Sequence, residues 1–81
     1  MKFPRDISGS KLAQALKKLG YQVTRQTGSH LRLTTRLNGE HHITIPNHDF
    51  VRVGTLANVL DEVASHFKIH RSELIKRIFK L

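Results

Sequence analysis

The spacing of hydrophobic residues changes along the chain, and the first stretch has the spacing of a helix. Leucines recur there every three or four positions, as they do on one helix face: Leu12, Leu16 and Leu19. Either Ser8 or Ser10 is suited to cap the beginning of this helix, and Gly20 is suited to follow its end. The pattern predicts a first helix over about residues 10–19.

After this helix the spacing changes to alternation, in which every second residue is apolar. Alternation of this kind is typical of strands that bury one face. It predicts three strands, over about residues 21–27, 30–36 and 41–46. The dipeptides Gly28-Ser29 and Asn38-Gly39 stand between the strands and mark the turns.

The apolar residues of the three predicted strands all have odd numbers, so they share one face of the sheet. That face carries, with Arg25 as an exception at the edge, Tyr21, Val23, Leu31, Leu33, Ile43 and Ile45. The opposite face is polar throughout and carries Gln22, Thr24, Gln26, His30, Arg32, Thr34, His42 and Thr44. Helices are expected to cover the apolar face, and the polar face is expected to meet water or a partner.

The odd numbering also limits how the strands pair. Leu33 and Ile43 share a face only if odd-numbered residues lie opposite each other, which a two-residue turn between their strands would prevent. A three-residue loop, Leu37-Asn38-Gly39 with the glycine in the left-handed region, restores the agreement. The same argument favours Thr27-Gly28-Ser29, or a bulge, at the first turn.

The last part of the chain returns to helical spacing in two segments. Pro46 ends the third strand because it cannot donate to a ladder, and a loop follows over about residues 47–53. Thr55 is the candidate N-cap of a second helix over about residues 55–67. A third, shorter helix begins near Ser72, and its basic side carries Lys76, Arg77 and Lys80.

The predicted fold is therefore α+β, in two layers. A three-stranded antiparallel sheet carries helices on one face, and a short helix is added at the C-terminal side. A chain of 81 residues has room for one domain with a modest core, so one domain is expected over residues 1–81.

The charge of the chain is the first indication of function. Lys and Arg number 14 against 6 Asp and Glu, which gives a formal net charge of +8 with histidine neutral. A small domain this basic favours a polyanion as its partner, and nucleic acid is the foremost candidate. A membrane role is not expected, because the basic third helix is short and needs its apolar side for the core.

Composition excludes several classes of site. The chain has no cysteine, so it has no disulfide, no thiolate nucleophile and no cysteine zinc site. No apolar run approaches the roughly 18 residues of a membrane span, and the first residues lack the apolar core of a signal peptide. The cytoplasm is the expected compartment.

Six histidines raise the question of a metal site. Zinc takes about four ligands in a defined geometry. His41 and His42 should point to opposite sheet faces, and His70 should lie beyond the helix that carries His66. No cysteine or acidic residue completes a set, so neither a metal nor another cofactor is predicted.

Four short motifs follow one another at defined places in this order of elements. They are Ser10-Lys11-Leu12 running through Leu16-Lys17-Lys18-Leu19-Gly20-Tyr21, then Arg25-Gln26-Thr27-Gly28-Ser29-His30, Ile45-Pro46-Asn47-His48 and Gly54-Thr55-Leu56. In order and spacing they resemble the HicA family of toxin mRNA interferases, whose fold is that of a double-stranded-RNA-binding domain. The resemblance covers about residues 8–67, and a basic helical extension of about residues 68–81 lies beyond it.

The resemblance implies a toxin of a type II toxin–antitoxin system that cleaves mRNA and is restrained by a HicB-like antitoxin protein. It assigns catalysis to the histidine of the Gly-Ser-His motif, which is His30. The sheet register independently places His30 on the polar face, beside a glycine turn. His48 is either a second acid or base or a residue that braces the loop after Pro46.

RNA carries its own nucleophile, the 2′-hydroxyl, so its cleavage needs an acid, a base and positive charge but no obligatory metal. Histidine suits either proton-transfer role near neutral pH. The residues expected to bind RNA are Lys11, Lys17, Lys18, Arg25, Gly28, Ser29, Arg32, Arg52 and Thr55. The alternatives are a non-catalytic double-stranded-RNA-binding module, which would not need this histidine, and a protein–protein adaptor, which would leave the charge unexplained.

Overall fold

The structure is a computed structural model that describes residues 6–79. Its elements are helix α1 (Gly9–Leu16) with a 3₁₀ turn (Lys17–Leu19), strands β1 (Gln22–Thr27), β2 (His30–Thr35) and β3 (His41–Pro46), and helices α2 (Val53–Phe67) and α3 (Arg71–Phe79). The strands form one antiparallel sheet in the order β1-β2-β3. This confirms the predicted α+β architecture with its additional C-terminal helix.

Helix α1 begins and ends as its sequence predicts. Ser8 is the N-cap, and its hydroxyl accepts a hydrogen bond from the backbone N–H of Lys11 at 3.1 Å. Gly20 follows the 3₁₀ turn in the left-handed conformation, with φ of 82°, which a glycine adopts without strain. The leucines of this helix are buried, so its apolar face is fixed against the sheet.

The odd-numbered apolar residues of β2 and β3 form the floor of the core, as predicted. Leu33 lies opposite Ile43, and Leu31 lies opposite Ile45. The same core cluster includes buried residues of all three helices, among them Leu12, Leu16, Leu56, Leu60, Leu74 and Ile78. Thr44 is exposed on the other face. The helices therefore cover one face of the sheet, and the polar face is left open.

The turn between β1 and β2 differs from the predicted three-residue loop. Gly28 and Ser29 form a two-residue turn between the paired residues Thr27 and His30. The alternative of a bulge is the one that holds, because the register shifts within β1, between Val23 and Arg25.

The bulge changes which β1 side chains share a face. Arg25 lies opposite Arg32 and therefore on the polar face, whereas Gln26 lies opposite Leu31 on the helix side. The prediction that Gln26 belongs to the polar face is wrong, because the extra residue at Thr24 reverses the alternation.

In the hairpin between β2 and β3, odd-numbered residues lie opposite odd-numbered residues, as predicted, but the loop is longer. The ladder ends at the pair Thr35 and His41, so residues 36–40 lie outside it. Asn38 and Gly39 are both left-handed, with φ of 58° and 95°. The predicted three-residue loop is thus the tip of a wider one.

Helix α2 begins two residues before the predicted position. Arg52 occupies the N-cap position and makes no side-chain capping bond, so the prediction of Thr55 as N-cap is wrong. Thr55 lies instead in the first turn. The chain after Pro46 reaches helical geometry earlier because Val51 is buried and bonded to Ile7, which fixes the entry to the helix.

Helix α3 adds further buried apolar side chains to the hydrophobic core. Leu74, Ile75 and Ile78 are buried, at 0%, 2% and 2% exposure. The ammonium of Lys18 donates to the carbonyl oxygen of Ile78 at 3.0 Å, which ties the end of α3 to the 3₁₀ turn. Lys80, predicted on the basic side of this helix, lies outside the described residues.

Candidate functional site

His30 stands where the polar face of the sheet meets the β1–β2 turn. It is the first residue of β2, paired with Thr27 on one side and Pro46 on the other. Its side chain is exposed. Within the described part of the chain, its ring makes no hydrogen bond or ion pair, so both ring nitrogens are accessible to a ligand.

Backbone hydrogen bonds bring the His48 segment to the same end of the sheet. The N–H of Asn47 donates to the carbonyl of Ser29 at 2.6 Å, and the N–H of Gly9 donates to the carbonyl of His48 at 2.9 Å. Both histidines therefore lie beside the start of α1. Four segments together form the His30 end of the molecule: the Gly28-Ser29 turn, His30, Pro46 to His48, and the first turn of α1.

The contact between α1 and the chain after β3 requires a glycine. Gly9 is buried, and a Cβ added there would overlap the carbonyl oxygen of Pro46 and lie 2.8 Å from the Cα of Asn47. Backbone atoms on both sides leave little room to adjust. The close approach of these two segments, which positions His48, therefore depends on the missing side chain.

The substitution Gly9→Ala is expected to lower the free energy of unfolding by about 1–3 kcal/mol, the usual cost of overpacking. The measurement is urea denaturation of the variant beside the parent protein. Gly54→Ala is the matched control, because a Cβ there meets nothing within 4 Å and alanine favours the helix. Equal stability of Gly9→Ala and the parent would contradict the close approach.

The residues predicted to bind RNA fall into two groups. Gly28, Ser29, Arg25 and Arg32 adjoin His30 on the turn or the polar face, and Lys11 lies in the first turn of α1. Lys17 and Lys18 lie in the 3₁₀ turn that follows α1, about 10 Å further along the helix axis. Arg52 and Thr55 lie at the start of α2, a few residues after His48.

A chain of polar contacts crosses the sheet away from the His30 end. The Thr24 and Thr34 hydroxyls are 3.0 Å apart, and the Thr34 hydroxyl is 2.7 Å from Nδ1 of His42. Nε2 of His42 donates to the carboxylate of Glu40 at 2.8 Å. His42 is therefore engaged by its neighbours, in contrast to His30. The alternating pattern predicted its face but not its partner Glu40.

A cluster of four rings joins β3 to the end of α2, and nothing in the hydrophobic pattern predicts it. His41 stacks on His66 with ring centres 4.5 Å apart, and its Nδ1 is 2.7 Å from the hydroxyl of Tyr21. Phe67 packs edge-on against His66 and Tyr21. His41 and His42 therefore point to opposite faces, as predicted. His41 is directed into the ring cluster, and its only sequence signal was its odd number.

His66 also holds the loop between β2 and β3. Its Nε2 donates to the carbonyl of Leu37 at 2.9 Å, and its own carbonyl accepts from the side-chain amide of Asn38 at 2.8 Å. The hairpin is thereby fastened to the C-terminal end of α2. Burial, with a smaller effect of Glu62, raises the pKa of the Tyr21 hydroxyl, so this group stays protonated.

The ring cluster makes stability depend on pH. Burial is the largest cause that lowers the pKa of His41 below its usual value of 6.5, and the charge of His66 is the second. Glu62 has a smaller effect that raises this pKa, and His42 has the smallest effect, which lowers it. The unfolded chain then binds a proton more readily than the folded one. The stability that His41 contributes is present in full above pH 6.5 and is lost as the pH falls through the lowered pKa.

The free energy of unfolding should therefore decrease as the pH is lowered below 6.5, and His41→Gln should flatten this decrease. Urea denaturation at a series of pH values measures both slopes. An unchanged slope in His41→Gln would contradict the assignment.

Residues 6–79 contain neither a cluster of metal-ligating side chains nor a helix suited to crossing a membrane. No three side chains of His, Cys, Asp or Glu come together in a way that would hold a metal ion. No helix in this part of the chain combines the length and the apolar character needed to cross a membrane.

The family model described as HicA toxin of bacterial toxin–antitoxin matches residues 9–64. The matched segment begins at the first residue of α1, includes the whole sheet and ends within α2, so it contains both His30 and His48. No curated protein and no solved structure matches the chain. Because the match covers more than half of its length, the chain belongs to the HicA family of toxins, which act as one member of a toxin–antitoxin pair.

Proposed function

We propose that this toxin is an endoribonuclease that cleaves mRNA with His30 as its catalytic residue and without a metal ion. The observation that carries the proposal is the environment of His30. Its ring is exposed and unengaged within residues 6–79, at a turn where a glycine leaves room for an RNA backbone. Most polar side chains of structural importance are bonded to protein neighbours, as His42 is.

The proposed reaction uses the 2′-hydroxyl of the RNA as nucleophile. A base removes its proton, the oxygen attacks the adjacent phosphorus, and the 5′-oxygen of the next nucleotide leaves with a proton from an acid. The products carry a 2′,3′-cyclic phosphate and a 5′-hydroxyl. His30 supplies one of the two proton transfers. His48 is the candidate for the other, because the bond from Asn47 to Ser29 holds its segment beside the turn.

Positive charge next to His30 supports binding of the reacting phosphate. Arg25 and Arg32 lie directly opposite each other on adjacent strands, a placement in which like charges repel. A bound phosphate removes that repulsion and gains two charge-assisted hydrogen bonds. Ser29 and Gly28 adjoin the same place. More distant phosphates of the RNA would contact Lys11, Lys17, Lys18, Arg52 and Thr55.

The restraining partner is proposed to be a HicB-like protein with an acidic surface that covers the His30 end. Charge complementarity supports this, because the toxin carries a formal net charge of +8. Co-expression of the toxin with the product of an adjacent gene should yield a stable complex in which cleavage is inhibited. A complex that forms but cleaves RNA at the full rate would contradict coverage of the site.

Cleavage itself is tested with end-labelled mRNA fragments in the presence of EDTA. Fragments ending in a 2′,3′-cyclic phosphate and a 5′-hydroxyl are expected, and EDTA should leave the rate unchanged. Binding without any cleavage would support a non-catalytic double-stranded-RNA-binding module instead. Cleavage that EDTA abolishes would contradict the metal-independent reaction.

A further inference from the structure

Phe50 is an aromatic residue in an unusual environment for so small a protein. Its side chain is 64% exposed, whereas Tyr21 is buried and Phe67 and Phe79 are packed against the core. It is therefore the one strongly exposed aromatic side chain among residues 6–79. Val53, three positions further on, is also exposed, at 54%. An exposed ring contributes little to folding and is accessible to a ligand.

The backbone on both sides of Phe50 is fixed. The neighbouring Val51 is 5% exposed, and its N–H donates to the carbonyl of Ile7 at 2.8 Å. On the other side, Asn47 is bonded to Ser29. The ring is thus held outward by an anchored segment, and little conformational entropy is lost when it binds a ligand.

Phe50 also lies close to the proposed site of cleavage. It stands three positions after Asn47, and three residues span at most about 10 Å. Asn47 in turn is bonded to the residue that precedes His30. A nucleotide adjoining a phosphate held at the His30 end is therefore within reach of the ring.

We propose that Phe50 is a stacking platform for an unpaired nucleobase next to the cleaved phosphodiester. This inference rests on the proposed function and assigns its substrate class, single-stranded RNA. Unstacked bases bind aromatic faces, whereas bases inside a duplex are already stacked on each other. Arg52, exposed two positions on, supplies a cation for the neighbouring phosphate.

The chain has no tryptophan, which allows a direct test. Phe50→Trp introduces a single indole whose emission reports stacking, and Val53→Trp introduces a matched indole three positions further along the chain. The probe is a short single-stranded RNA with 2′-O-methyl groups, which cannot be cleaved. Binding should quench the emission of Phe50→Trp much more than that of Val53→Trp, and a duplex of the same sequence should quench neither strongly.

Affinity provides the second measurement. Phe50→Ala should weaken binding of the single-stranded probe by about 5- to 150-fold, the effect of losing one stacked base, and Phe50→Tyr should restore it. Circular dichroism checks that each variant is folded. The duplex probe should bind the parent protein and Phe50→Ala equally.

The outcomes separate this inference from the proposed function. A parent protein that binds neither probe overturns both. A parent that binds the single strand no more tightly than Phe50→Ala does overturns the stacking platform alone. Unchanged RNA affinity in Phe50→Ala, together with weaker binding of the antitoxin, would assign the ring to the protein interface and would also overturn the inference.

Discussion

His30→Ala is expected to reduce the rate of RNA cleavage by about 10²–10⁴-fold, the usual effect of removing an acid–base group. Folding should be unaffected, because the His30 side chain is exposed and makes no bond within residues 6–79. RNA affinity should also persist, since Arg25 and Arg32 remain. Single-turnover cleavage, thermal unfolding and an RNA titration measure the three properties.

His42→Ala is the matched control for this prediction. His42 is a second exposed histidine on the polar face, but Thr34 and Glu40 engage both of its ring nitrogens. Its loss should change the cleavage rate little. If a folded His30→Ala protein cleaved RNA at the parent rate, His30 would not be catalytic, and His48→Ala would become the decisive variant.

Leu74→Ala is expected to lower the free energy of unfolding by about 2–5 kcal/mol, the range measured for leucine-to-alanine substitutions in protein cores. Leu74 is fully buried on α3, a helix that lies beyond the family match. A protein of this size has a total stability of roughly 4–12 kcal/mol. The variant should therefore lose a large part of its stability, as measured by urea denaturation.

Lys76→Ala on the same helix is the control, because its side chain is exposed. It should change stability by less than about 0.5 kcal/mol. If both variants were as stable as the parent, α3 would not contribute to the stability of the fold. A selective loss in Leu74→Ala would show that residues outside the family match complete the hydrophobic core.

The register of β2 and β3 was predictable because one face of each strand is buried. Shifting Leu33 by one position against Ile43 would expose every apolar side chain of that face, so the sequence allows one parity only. Strand β1 carries no such constraint. All six of its residues are exposed, so the parity of its apolar residues allowed either a three-residue turn or a bulge and could not place the bulge at Thr24.

The sequence suggests the residues of the candidate site but only part of their geometry. Alternation placed His30 on the polar face, and the structure agrees. The approach of His48 depends on the bond from Asn47 to Ser29 and on that from Gly9 to His48. These bonds join backbone atoms far apart in the chain, which no side-chain pattern records. The stacking of His41 on His66 was not predicted either, because these two rings also come from residues far apart in the chain.

The bulge in β1 also bears on how the toxin avoids joining other copies of itself. An outer strand offers unpaired N–H and C=O groups to any other extended chain, and regular, uncharged edges aggregate most readily. Strand β1 is irregular between Val23 and Arg25 and carries a cation at the irregularity. A second copy could neither continue the ladder in register nor approach without charge repulsion. The same insertion that brings Arg25 beside Arg32 thus disfavours extension of the sheet at its β1 edge.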